Sequence, residues 1–205
     1  MIKANHSAFH KWLMNSYINY ILRCDFQDIV FTNTLQPDNR SILLIPNHFS
    51  WWDGFFAWRI NQQILMKNFH IMMLEQELSK RMFFSRVGAF SVNLNSRSII
   101  DSIDYAANLL ANSNNMVTIY PQGKLGSQHH WEVQFRRGIE RILQKANNTR
   151  LVFAVFLVDY YGNRKPTVTV TLKDYEGCSS LHEIENAYNS LLKDCIQNQD
   201  NLFTT

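Results

Sequence analysis

Asn47-His48-Phe49-Ser50-Trp51-Trp52-Asp53-Gly54 sets a histidine five residues before an aspartate. An imidazole and a carboxylate can act as a base and the group that orients it. On one continuous helix, residues five apart point to different faces, so helix geometry alone does not pair them. The apolar run Ser41-Ile42-Leu43-Leu44-Ile45-Pro46 leads in and reads as a strand; Trp52 to about Lys67 leads out and reads as a helix. A strand-turn-helix corner can bring the two groups together. Asp53 in the first helical turn is favoured by the helix dipole and can curl back to take the Nδ1 proton of His48. Nε2 is then free to accept a proton from a hydroxyl. That is the base-and-orienter half of a triad, with no serine or cysteine nucleophile in the right place.

This block resembles the His-x4-Asp signature of the glycerolipid acyltransferases, the 1-acylglycerol-3-phosphate acyltransferases and their relatives. In the form Asn-His-x-Ser-x-x-Asp, Asn47, His48, Ser50 and Asp53 all match. Gly88 to Arg97 resembles the second block, Gly-x-x-Phe-x-x-Arg, with Arg97 three residues later than in the shortest form. Tyr120-Pro121-Gln122-Gly123-Lys124-Leu125-Gly126-Ser127 resembles the third block, Phe-Pro-Glu-Gly-Thr-Arg-Ser. Here Gln122 stands for the glutamate and Lys124-Leu125 for threonine-arginine, so the charge of that carboxylate is lost. Phe135-Arg136-Arg137-Gly138 resembles the short basic segment that follows, whereas Leu151–Leu157 keeps only the buried-strand character of the fourth block.

The resemblance implies a glycerol-3-phosphate acyltransferase-like α/β domain that moves an acyl group from acyl-CoA or acyl-carrier protein to a lipid hydroxyl. The donor is a substrate, and no cofactor or metal is implied. His48 and Asp53 would be the catalytic pair, with Asn47 and Ser50 supporting the turn and backbone amides near the corner holding the oxyanion. Arg97, Gln122, Gly123 and Lys124 would bind the acceptor's anionic headgroup, as a planar guanidinium does bidentately. An ordinary alternative for Arg97 is a pair with Asp101 at a helix start. Lysophosphatidic acid is the family default; Gln122 and Lys124 point to a relative with another lipid acceptor. A silent lipid-binding member of the fold and a thioesterase-like hydrolase are the other readings.

The supporting elements follow in order. Ala8–Cys24 is an amphipathic helix with an aromatic-rich face that includes Trp12, suited to packing on the domain and to an interfacial membrane contact. Strands are expected at Asp28–Asn33, Ser41–Pro46, Phe69–Leu74, Gly88–Leu94, Met116–Pro121, Leu151–Tyr160 and Thr167–Lys173. Helices are expected at Trp52–Lys67, Glu75–Phe84, Ser98–Ala111, Phe135–Ala146 and Ser180–Ile196. This alternation gives one α/β domain, residues 28–205, behind a helical segment, residues 1–27. Its sheet of about seven strands is mainly parallel, with an antiparallel last pair. Ligands of such sheets bind beyond the carboxyl ends of the strands, where His48, Asp53, Arg97, Gln122 and Lys124 all fall. Trp51, Trp52, Phe55, Phe56 and Trp58 crowd the corner and cover more than one helix face, so some should line an acyl-chain groove or meet lipid.

The formal net charge is +3, but residues 174–200 carry −5, which leaves +8 on residues 1–173. A basic body suits a membrane surface or a phosphorylated substrate, and no nucleic-acid motif accompanies it. The three cysteines have no metal or redox spacing, which points to a reducing cytoplasm. His129-His130 and His70 lack further ligands at a metal-site spacing. No apolar run approaches the roughly 18–20 residues of a membrane span. The expected place is therefore the inner face of the membrane, bound peripherally.

Overall fold

The central strand is β2 (Ser41–Pro46), buried along its whole length. A strand covered on both faces must lie between two helical layers. Ile42 and Leu44 point into the core on one side, Leu43 and Ile45 into the core on the other. The computed structural model describes residues 1–94, 98–146 and 148–199. The other strands are β1 (Asp28–Phe31), β3 (Asn68–Leu74), β4 (Ala89–Val92), β5 (Asn115–Thr118), β6 (Thr149–Asp159) and β7 (Thr167–Tyr175). They form one sheet in the order β1-β7-β6-β2-β5-β3-β4. Every pairing is parallel except β6 with β7, the last pair, as expected.

Helix α1 (Ala8–Asp25) starts at Ser7, which caps it, and carries two apolar stripes. Met14, Ile18 and Leu22 are buried against the sheet and against α2 (Asp53–Ile60). Phe9, Trp12, Leu13, Tyr17 and Tyr20 face outward. Residues 1–27 thus pack as part of the same α/β body. Ahead of α1, the chain runs along the outer edge of the sheet: Ser91 N–H donates to Ile2 C=O, and Ser7 N–H to Arg86 C=O. The opposite face of the sheet is covered by α4 (Ile99–Leu110), α5 (Gly138–Lys145) and α6 (Leu181–Asn198). Ser180 caps α6.

Several expected boundaries move. The helix expected over Trp52–Lys67 stops being α-helical at Ile60 and widens into a π-helical turn, Asn61–Leu65. Met66 in the left-handed region closes that turn, and the Asn61 side chain bonds both N–H and C=O of Lys67. The helix expected over Glu75–Phe84 is α3 (Glu75–Lys80) followed by a 3-10 helix, Met82–Val87. Strand β5 ends at Thr118, three residues early, because Pro121 has no N–H to extend the ladder.

His6 and His70 meet between the leading segment and β3, with Nε2 atoms 3.4 Å apart. Burial pushes both imidazoles from 6.5 to about 4, with nearby Lys11 adding to the effect. The unfolded chain therefore binds more protons than the folded one between those values, and stability falls as pH drops through this window. The protein should melt at a lower temperature at pH 5 than at pH 7, and His70→Asn should narrow that gap in a thermal scan.

Candidate active site

The corner between β2 and α2 is built on one carboxylate. Asp53 has no exposed side-chain surface. His48 Nδ1 lies 2.8 Å from Asp53 Oδ2, which also accepts the N–H groups of Phe49 at 2.8 Å and Ser50 at 3.0 Å. Ser50 Oγ donates to Oδ1 at 2.6 Å and accepts the Trp52 N–H at 3.1 Å. An ionised carboxylate only accepts, so the proton on Nδ1 belongs to the histidine and Nε2 is left with a lone pair. The His48 side chain is 27% exposed and lines a cavity of about 580 Å3.

Asn47 fixes where the strand stops. Its side chain donates to Phe156 C=O and accepts Phe156 N–H, each at 2.8 Å. The first turn of the loop after β5 grips the next residue. Gln122 Oε1 accepts the His48 N–H at 2.7 Å, and Gly126 N–H donates to His48 C=O at 2.8 Å. The Tyr120 ring stacks on the imidazole with centroids 4.3 Å apart.

This geometry bears on two expectations. Gln122 directs its carbonyl oxygen at the backbone N–H of His48, which would otherwise have no partner at the end of the sheet, while the residue also lines a polar cavity that reaches α6. The amides of His48, Phe49, Ser50 and Trp52 are all engaged, to Gln122, Asp53 or Ser50, so they are not free to hold an oxyanion.

The aromatic cluster divides. Trp51 (56% exposed) and the buried Phe55 line the cavity, together with Trp58. Phe56 is 1% exposed and packs on Phe26 and Phe156. Trp52 stacks edge-on against Phe26. Both pack against the core beneath α1, Phe56 fully and Trp52 in part, and neither lines the cavity. Trp12, 63% exposed, lies outside the cavity on the outer stripe of α1. The remaining cavity wall is largely apolar and includes Met14, Phe69, Ile71 and Ile103. Sequence reading missed these, because they come from three separate elements, α1, β3 and α4, and only the packing collects them.

Lys124 is exposed on the loop and borders both this cavity and a polar one of about 1050 Å3 that reaches α6. Arg136 borders both as well, lying across Gly123, whose φ of +67° suits glycine. Arg97 lies outside the described residues. His129 and His130 lie on an exposed loop while His70 pairs with His6, and among the described residues no three metal-ligating side chains converge.

A family model described as Acyltransferase matches residues 28–167. Comparison with curated proteins finds no match.

The corner's supports should be measurable as stability. Asn47→Ala leaves the buried N–H and C=O of Phe156 without their partners and should cost about 1–3 kcal/mol. Ser50→Ala removes one donor from the buried Asp53 carboxylate and the acceptor of the Trp52 N–H, and should cost about 1–3 kcal/mol. Denaturant unfolding of the two variants against wild type checks both.

Proposed function

The chain belongs to the acyltransferase family, and we propose that it transfers a fatty acyl group from a thioester, acyl-CoA or acyl-carrier protein, to the hydroxyl of a lysophospholipid or related lipid. The observation that carries this reading is an imidazole, fixed at Nδ1 by a fully buried carboxylate, on the wall of a largely apolar cavity.

The steps follow from that geometry. His48 Nε2 takes the proton of the acceptor hydroxyl as its oxygen attacks the thioester carbonyl carbon. The carbon–sulfur bond then breaks, and the imidazolium returns its proton to the leaving thiolate. Asp53 holds the ring in one tautomer and faces the positive charge while it lasts. The reaction needs no acyl-enzyme and no cofactor. The cavity between Trp51, Phe55, Trp58 and Ile103 takes an acyl chain, where each buried methylene contributes about 0.8 kcal/mol. Lys124, with Arg97 on the strength of the family resemblance, holds the anionic headgroup. Gly123 gives Arg136 room to approach the same rim.

The acceptor comes from a membrane. Among the described residues no helix is long and apolar enough to cross one. Phe9, Trp12 and Tyr20, each more than 60% exposed on α1, suit the headgroup layer of a bilayer, with Arg23 able to reach lipid phosphates. Tyr17 of the same stripe meets Phe55 edge-on, so the lipid-facing side of α1 adjoins the cavity wall. The protein works in this reading as a peripheral enzyme on the cytoplasmic side.

Mass spectrometry of the products formed from an acyl donor and a panel of lysolipids tests the activity. Wild type should yield an acylated lipid, His48→Ala none, and Asp53→Asn should turn over slower by roughly 10^3-fold or more. Release of free fatty acid at the full rate with no acceptor would mean hydrolysis instead. In sedimentation with anionic vesicles, Phe9→Ala with Trp12→Ala should lower bound protein about tenfold or more while transfer to a detergent-dispersed acceptor persists.

A further inference from the structure

The loop that follows β5 touches His48 from three directions. The Tyr120 ring lies under the imidazole at 4.3 Å with 25° between the planes. Gln122 takes the backbone N–H, and Gly126 supplies a backbone N–H to the carbonyl. The loop is itself tied down: Gly123 N–H donates to Tyr120 C=O at 3.0 Å, and Arg136 N–H to Pro121 C=O at 2.9 Å.

We propose that this loop is a clamp that aims the base, with Tyr120 and Gln122 as positioning residues for His48. The proposal rests on His48 being the base of the transfer. It assigns Gln122 to the histidine's backbone in place of the acceptor's headgroup.

Three arguments carry it. A ring held at Nδ1 alone can still tilt out of plane, and a stacked aromatic face removes that freedom. His48 lies beyond the last ladder pair of β2, Pro46 with Ala154, so the sheet does not hold its main chain. Gln122 and Gly126 replace the ladder there. The third concerns which part of Tyr120 acts. Its hydroxyl is buried without a hydrogen-bond partner among the described residues. Burial, then the neighbouring Asp53 and Tyr188, push it well above the usual tyrosine range. A phenol in that state gives up no proton, so its contribution is the ring. The face of that ring also attracts the imidazolium formed during transfer. Aim matters because a misplacement of about 1 Å at a reacting group can cost on the order of 100-fold in rate.

The test is steady-state kinetics of acyl transfer by the full-length protein, with kcat and KM measured separately for donor and acceptor. Tyr120→Met and Gln122→Met keep the volume but lose the ring face and the acceptor oxygen. Each should lower kcat about tenfold or more with both KM values within about twofold. Tyr120→Phe and Gln122→Glu retain those features and should stay within about threefold of wild type in kcat. Thermal melts identify a variant that has merely unfolded; should a methionine variant do so, Tyr120→Leu and Gln122→Leu replace it. A raised acceptor KM at unchanged kcat in Gln122→Met would make Gln122 a substrate ligand and overturn the proposal. So would Tyr120→Phe falling as far as Tyr120→Met, or methionine variants at the wild-type kcat. Full activity in His48→Ala would instead remove the base itself, a separate failure.

Discussion

A carboxylate with no exposed surface organises the corner of this protein. Burying a charge is costly unless donors replace the lost water. Asp53 finds four of them within the five residues before it: the His48 ring, the amides of Phe49 and Ser50, and the Ser50 hydroxyl. For those donors to converge, the chain between strand and helix must turn its amides inward. The conformation of the loop and the orientation of the imidazole are therefore one solution to one solvation problem. The donors that satisfy Asp53 are also spent on it, so the amides of Phe49 and Ser50 are not free for an incoming oxyanion.

The same corner joins two environments. On one side the exposed Trp51 and the buried Phe55 begin an apolar chamber that draws its wall from α1, α2, β3 and α4. On the other side the loop after β5 rises beside the histidine and carries Lys124 to the shared rim of a polar chamber. The proposed reaction of a fatty thioester with a polar-headed alcohol would draw on this juxtaposition of dry and wet. The imidazole sits on the apolar wall, beside the loop that borders both chambers.

The strands were readable because burial writes itself into sequence: Ile42-Leu43-Leu44-Ile45 cannot face water on either side. His48 and Asp53 were readable because the strand and helix around them fix a bend between. The split of Trp52–Lys67 was not, since a π-helical turn ends here on Met66, 78% exposed and left-handed, a residue type with no turn signature. The fate of the aromatic cluster was also hidden. Trp52 and Phe56 differ from Trp51 and Phe55 only by which side of the turn and of α2 they point to, and which side is covered is decided by distant residues such as Phe26. The purpose of Gln122 was obscured for a related reason: its partner is a backbone amide 74 residues away, and backbone atoms leave no trace in a residue pattern.

Two asparagines show how this sheet ends its strands. Asn47 bonds both polar groups of Phe156, and Asn33 does the same to Leu172. In each case a carboxamide impersonates a peptide unit: it offers a neighbouring strand one donor and one acceptor, while the true main chain departs. The neighbour is satisfied as if pairing continued, yet the departing chain is released one residue sooner. At Asn47 that release frees the very next backbone unit for other partners, and the next unit is the histidine's.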